Sequence, residues 1–192
     1  MAEITTTSNK NSDASVRTIS GVIMTLPVLI KGHKVNNSLL TQKTIDWAPG
    51  ANDLFFDLIK AGIKISFFSN GNYNLKIIDH CLKNLKHPSG LTLTGADQII
   101  QNRIYIGSVK DDTLNKNLLR EIHEVNSTKN ESSVNTVFMT CKKKNMMNGY
   151  ALGFHTIFIS SDEINPIIKN DEDFKQVKNF KQADEHIRSI IF

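Results

Sequence analysis

The sequence predicts an α/β fold, a doubly wound parallel sheet of about five strands with helices on both faces. Three observations carry that prediction. From Arg17 onward, short β-branched apolar runs alternate with segments whose apolar residues recur at helical spacing. Glycine, proline and polar clusters separate the two patterns. The composition, 40% hydrophobic and 22% charged over 192 residues, is that of a globular chain able to bury a core. Alternating strands and helices imply parallel pairing, and right-handed crossovers then place helices on both faces.

The elements follow in order. "RTISGVIMTLPVLI" is the first strand, with Pro27 expected to end regular pairing because it has no N–H to donate. "KGHKVNNSLLTQKTIDW" reads as a flap and a polar connection. In "PGANDLFFDLIKAG", Pro49 suits a helix start, Leu54, Leu58 and Ile59 share a face, and Gly62 suits the C-terminal cap. "IKISFF" is a second strand ending at Ser69, Asn70 and Gly71. A helix from Asn74 to about Lys86, the short strand "NRIYIGS" and the helix "DDTLNKNLLREIHEV" follow. "TVFMT" is the fourth strand, a short amphipathic helix comes next, and "HTIFIS" is the fifth strand. The tail from Asp162 reads as one or two more helices. Residues 1–16, rich in Ser, Thr and Asn, suit a disordered N-terminal lead, and residues 17–192 a single domain.

No apolar run approaches the roughly 20 residues that span a bilayer, and the N-terminus lacks the basic start and apolar stretch of a secretory signal. Cys81 and Cys141 are too few for a disulfide scaffold, which points to a reducing, cytoplasmic compartment. The net charge of +4 comes from scattered lysines, so a nucleic-acid partner is not expected. His33, His80, His87, His123, His155 and His186 show no zinc-ligand spacing. Trp47, Phe55 and Phe56 suit core packing.

Ligands of such sheets sit beyond the C-terminal ends of the strands. That places the candidate site at Thr25 to Pro27, Ser69 to Gly71, Ser108 to Lys110 and Thr140 to Lys144. The order and spacing of these stretches resemble the haloacid dehalogenase-like superfamily, most of whose members are phosphatases. "APGANDLFFDLIKAGIKISFFSNGN" is similar to its second motif, with Ser69 at the hydroxyl position and Asn70 following. "RIYIGSVKDDTLNKNLLREIHE" is similar to the third, with Lys110 at the lysine. "VFMTCKKKNMMNGYALGFHTIFI" is similar to the fourth, with Asn145 at the helix start and Gly153 before the last strand. The short spacings imply a member without a sizeable cap domain, and an open site of that kind implies macromolecular partners.

The departures from the family pattern are equally specific. The resemblance places Thr25 at the nucleophilic aspartate and Pro27 at the acid/base aspartate. It places Thr140 and Cys141 where acidic metal ligands stand. Asp13, Asp46 and Asp162 supply no alternative, because none closes an apolar strand in an Asp-x-Asp pattern. Phosphoryl transfer in the family needs one carboxylate to form an acyl-phosphate and another to protonate the leaving group. Threonine is a poor nucleophile without a base, and cysteine is too soft for magnesium. The expectation is therefore a catalytically inactive, binding or regulatory domain, with no metal and no cofactor. Ser69, Asn70 and Lys110 would form a weak phosphate pocket, and the partner would be a protein, phosphorylated or not. The alternative is an active magnesium-dependent phosphatase with atypical catalytic residues. Individual residues keep a plainer reading as well. Ser69 also suits a turn that serves its own backbone, Lys110 a solvated lysine, Cys141 a small buried side chain rather than a reactive thiol, and Lys142 to Lys144 a solvated run.

Overall fold

The computed structural model describes residues 18–29, 47–70, 104–109, 113–126, 135–162, 164 and 166–192. The expected N-terminal lead, the flap and the helix near residues 74–86 lie outside them. Strand β1 (Gly21–Thr25) is buried throughout and turns directly into one helical turn, α1 (Leu26–Leu29). Helix α2 (Ala51–Lys60) leads into β2 (Lys64–Asn70). Then come β3 (Ile104–Val109), α3 (Lys116–Asn126), β4 (Thr136–Thr140), α4 (Lys143–Tyr150) and β5 (His155–Ile159). A second helical turn, α5 (Pro166–Lys169), precedes β6 (Phe174–Val177) and the final helix α6 (Phe180–Ile191).

The strands form one sheet in the order β3-β2-β1-β4-β5-β6, with every pair parallel. Successive strand residues point to opposite faces, which divides the apolar set in two. Val22, Met24, Ile65, Phe67, Val137, Met139, Ile157 and Ile159 pack with Leu54, Phe55 and Leu58 of α2 and with Phe180, Ala183 and Ile187 of α6. On the other face, Ile23, Phe68 and Phe138 pack with Leu119 and Ile122 of α3, and Phe158 packs with Met146 of α4. Each such side chain, fully buried, contributes about 1.5–3 kcal/mol, so both faces must stay covered.

Two glycines turn helices into strands by the same device. Gly62 (φ 81°) and Gly153 (φ 75°) occupy the left-handed region after α2 and α4. Each is bracketed by paired backbone bonds: Gly62 N to Ile59 O with Ile63 N to Leu58 O, and Gly153 N to Tyr150 O with Phe154 N to Gly149 O. This is the Schellman arrangement, which satisfies the last carbonyls and aims the chain back along the sheet.

The structure departs from the sequence-based expectation at two places. The first apolar run does not stay extended, because Leu26–Leu29 coils into α1 with Pro27 buried in its first turn, where its missing N–H costs little. The tail also contains a strand as well as helices. β6 is only four residues, pairs on one side with β5, and exposes Lys175, so its alternation is too short to read locally. The described residues build no cap domain over the strand ends. Among them no helix is long and apolar enough to cross a membrane.

Candidate functional site

β1 and β4 are neighbours, in a register that pairs Met24 with Met139. The next residue of each strand, Thr25 and Thr140, therefore ends side by side at the C-terminal edge. Thr25 Oγ1 donates to Thr140 Oγ1 at 3.4 Å, a long contact between side chains that are 6% and 0% exposed. Thr140 Oγ1 also accepts from the Lys142 N–H at 3.2 Å. That hydroxyl thus fixes the turn into α4. Pro27 is buried two residues beyond Thr25. Cys141 follows Thr140 but packs against the opposite core, half-buried.

On the other side of β1, Thr25 is level with Phe68 of β2. Ser69 and Asn70 therefore extend β2 beyond Thr25, paired with Ser108 and Val109 of β3. Parallel pairing thus brings the ends of β1, β2, β3 and β4 to one edge, as the sequence implies. Lys110 follows β3 directly and lies outside the described residues.

Two asparagines tie this edge together. Asn145 is buried, and its Oδ1 accepts the Leu114 N–H at 2.9 Å. Asn148 Nδ2 donates to the Leu114 carbonyl at 2.9 Å. α4 thereby grips both backbone groups of a residue just before α3 and sets the connection after β3 against the end of β4. The resemblance marks Asn145 but not this contact. Asn148 carries no motif, and its only signal is that it lies three residues on, along the same helix face.

α4 begins with Lys142 as its cap, has no acidic residue in its first turn, and exposes Lys143 and Lys144. Cations at a helix N-terminus oppose the macrodipole, so the edge beside Thr140 carries positive charge at a local cost in stability. The described side chains of the site are hydrogen-bonding hydroxyls next to lysines. Such a set can orient an anion. It lacks a carboxylate able to form an acyl-phosphate at the end of β1.

A parallel sheet in this order, with helices on both faces, is a haloacid dehalogenase-like α/β fold. No protein-family profile matches the sequence, and no curated protein is similar to it in sequence. Solved structures are similar in fold. A protein of Listeria monocytogenes serotype 4b aligns with a TM-score of 0.55 and 13% identity, covering 89% of this chain and 98% of its own. A haloacid dehalogenase superfamily hydrolase from Ehrlichia chaffeensis gives 0.52 and 14%, covering 92% and 99%. The D,D-heptose 1,7-bisphosphate phosphatase from B. bronchiseptica, complexed with magnesium and phosphate, gives 0.53 and 9%, covering 88% and 98%. These likenesses establish the fold.

They also correct one expectation. The sequence suggested a chain that needs no metal or cofactor, whereas the B. bronchiseptica phosphatase of the same fold is complexed with magnesium. The usual ligands of magnesium are carboxylates, phosphates and water. Here the described strand ends offer the threonine hydroxyls, and among the described residues no three His, Cys, Asp or Glu side chains converge. The described donors do not by themselves match a magnesium site.

Proposed function

We propose that this haloacid dehalogenase-like domain is a binding or regulatory module that holds a phosphoryl group or similar anion without cleaving it. The observation that supports this is the pair Thr25 and Thr140, hydroxyl to hydroxyl at the ends of β1 and β4. With Thr25 at the nucleophile position, the attacking atom would be a neutral hydroxyl bonded to another hydroxyl rather than to a base, and such an oxygen attacks phosphorus poorly. Pro27, at the acid/base position, has no proton to give. Ser69, Asn70 and Lys110 would supply donors and charge for the anion. The partner is a protein, phosphorylated or not, in a reducing, cytoplasmic compartment.

A second reading is an active phosphatase with atypical catalytic residues, acting on a phosphorylated macromolecule. It is favoured by the fold shared with the B. bronchiseptica phosphatase complexed with magnesium and phosphate. One experiment separates the two. The purified chain is assayed with magnesium against an aryl phosphate and a phosphopeptide. The binding reading expects no turnover above background, with the phosphopeptide still bound. Magnesium-dependent turnover that disappears in Thr25→Val establishes the second reading instead.

A further inference from the structure

Away from the candidate site, two imidazoles meet between β5 and α6. His155 opens β5 at the N-terminal edge of the sheet, the end opposite Thr25 and Thr140, and His186 lies within α6. Their Nε2 atoms are 2.9 Å apart, their ring planes differ by 28°, and their centroids are 5.2 Å apart. Nitrogens so much closer than the centroids mean that the nearly coplanar rings touch tip to tip. A zinc ion between two such nitrogens in line would need about 4 Å, twice a Zn–N bond. The gap holds one proton.

At 2.9 Å only one Nε2 can carry hydrogen, since two N–H groups would collide and two lone pairs would repel. Asp173 selects which one. Its Oδ1 lies 3.7 Å from His155 Nδ1, and its charge favours a proton there. Neutral His155 then presents a bare Nε2, and His186 Nε2–H donates to it. The geometry points to a proton-dependent latch: one hydrogen between the two Nε2 atoms fastens α6 to β5, and a second hydrogen in that gap, present once both imidazoles are charged, releases it.

The surroundings oppose that second proton. Burial, then His155 and Lys175, hold His186 down to about 4. A depressed imidazole lets the unfolded segment take the proton first. The latch is thus fully present above the ordinary histidine range of about 6.5 and weakens as pH falls from there towards about 4. Of the other charges nearby, Asp173 attracts a proton to His155, and Lys175 of β6 repels one from His186. On α6, Asp184 and Arg188 engage each other and Asp57 of α2, while Glu185 pairs with Lys181. The β4 residue level with His155 is the uncharged Val137. Releasing α6 would bare the apolar strip of Phe180, Ala183 and Ile187 that covers β5 and β6.

The test uses the full chain. Imidazole nitrogen NMR near neutral pH should show one protonated and one bare Nε2 joined by a hydrogen bond. Below about pH 6.5, amide exchange in α6, corrected for intrinsic rates, should rise against α3 by about tenfold per pH unit, the slope of one linked proton. His186→Gln should flatten that slope; if it fails to fold, His155→Gln and the native titration decide. Equal slopes in native and variant chains overturn the latch. So does independent titration of both rings near their ordinary pKa, or zinc stabilisation that needs both histidines.

Discussion

Thr25 and Thr140 join the ends of β1 and β4 through their hydroxyl oxygens, 3.4 Å apart and shielded from solvent. Each stands where the resemblance places a carboxylate. Two carboxylates at that separation would repel unless a cation or proton lay between them, whereas two hydroxyls can bond to each other. The pair therefore ties the two strand ends together directly.

That contact has a measurable coupling. Thr25→Val and Thr140→Val should each cost about 1 kcal/mol in denaturant unfolding, with Thr140→Val the larger because the Lys142 N–H also loses its acceptor. The double variant should cost less than the sum, by about 0.5 kcal/mol or more. Strict additivity would mean that the hydroxyls do not interact.

The anion pocket should bind free phosphate only weakly. In the proposed pocket, one lysine and a few N–H donors would provide about 4 kcal/mol, a Kd on the order of 1 mM. Calorimetric or NMR titration should show that affinity in the native chain and a clear loss in Lys110→Ala and in Ser69→Ala. Binding unchanged in both variants would move the function to another face.

Gly149 of α4 packs so closely on β4 that an added Cβ would overlap Cδ1 and Cε1 of Phe138. Phe138 is fully buried and cannot swing away. Gly149→Ala should therefore destabilise the domain by about 1–3 kcal/mol, as overpacking does, despite alanine's better helix propensity. Pairing it with Phe138→Leu should recover part of the loss, read as a rise in Tm over the single variant.

Arg188 links the two helices on one face, donating from Nε to Asp184 at 2.9 Å and from its terminal nitrogen to Asp57. Arg188 and Asp57 are 32% and 37% exposed, so solvent screens the pair and Arg188→Ala should cost only about 1 kcal/mol. Burial already raises the Asp184 pKa, and Arg188 partly offsets the rise. Without Arg188 the carboxyl should titrate higher still. The variant's deficit should then be largest above the carboxyl range and shrink in acid, where Asp184 is neutral. Arg188→Lys should not restore it, because an ammonium cannot fork between two carboxylates.

Much of the site was legible in the sequence because its parts are local. A strand through Gly21–Thr25, a helix closed by Gly62, and Asn145 at a helix start are each set by period, cap and turn residues within a few positions, whereas the coiling of Leu26–Leu29 was not foreseen. β6 was not legible, since Phe174 and Val177 are its only buried residues and an edge strand of four has too little pattern. Asn148 gave no sign of its bond to the Leu114 carbonyl, which depends on α4 lying against the start of α3. His155 and His186 gave none either, because their spacing matches no helix or ligand repeat.

The sequence by itself determined the alternation of strands and helices, the parallel sheet, and the hydroxyls and imino acid at positions 25, 27 and 140. Tertiary structure decided which of those groups touch. Strand order put β1 between β2 and β4 and made Thr25 and Thr140 neighbours. Packing of α6 on the sheet brought His186 within hydrogen-bond reach of His155 and Arg188 within reach of Asp57. Local pattern follows from neighbours along the chain, whereas these contacts exist only once both faces of the sheet are buried, and the hydrophobic effect that buries them is non-directional.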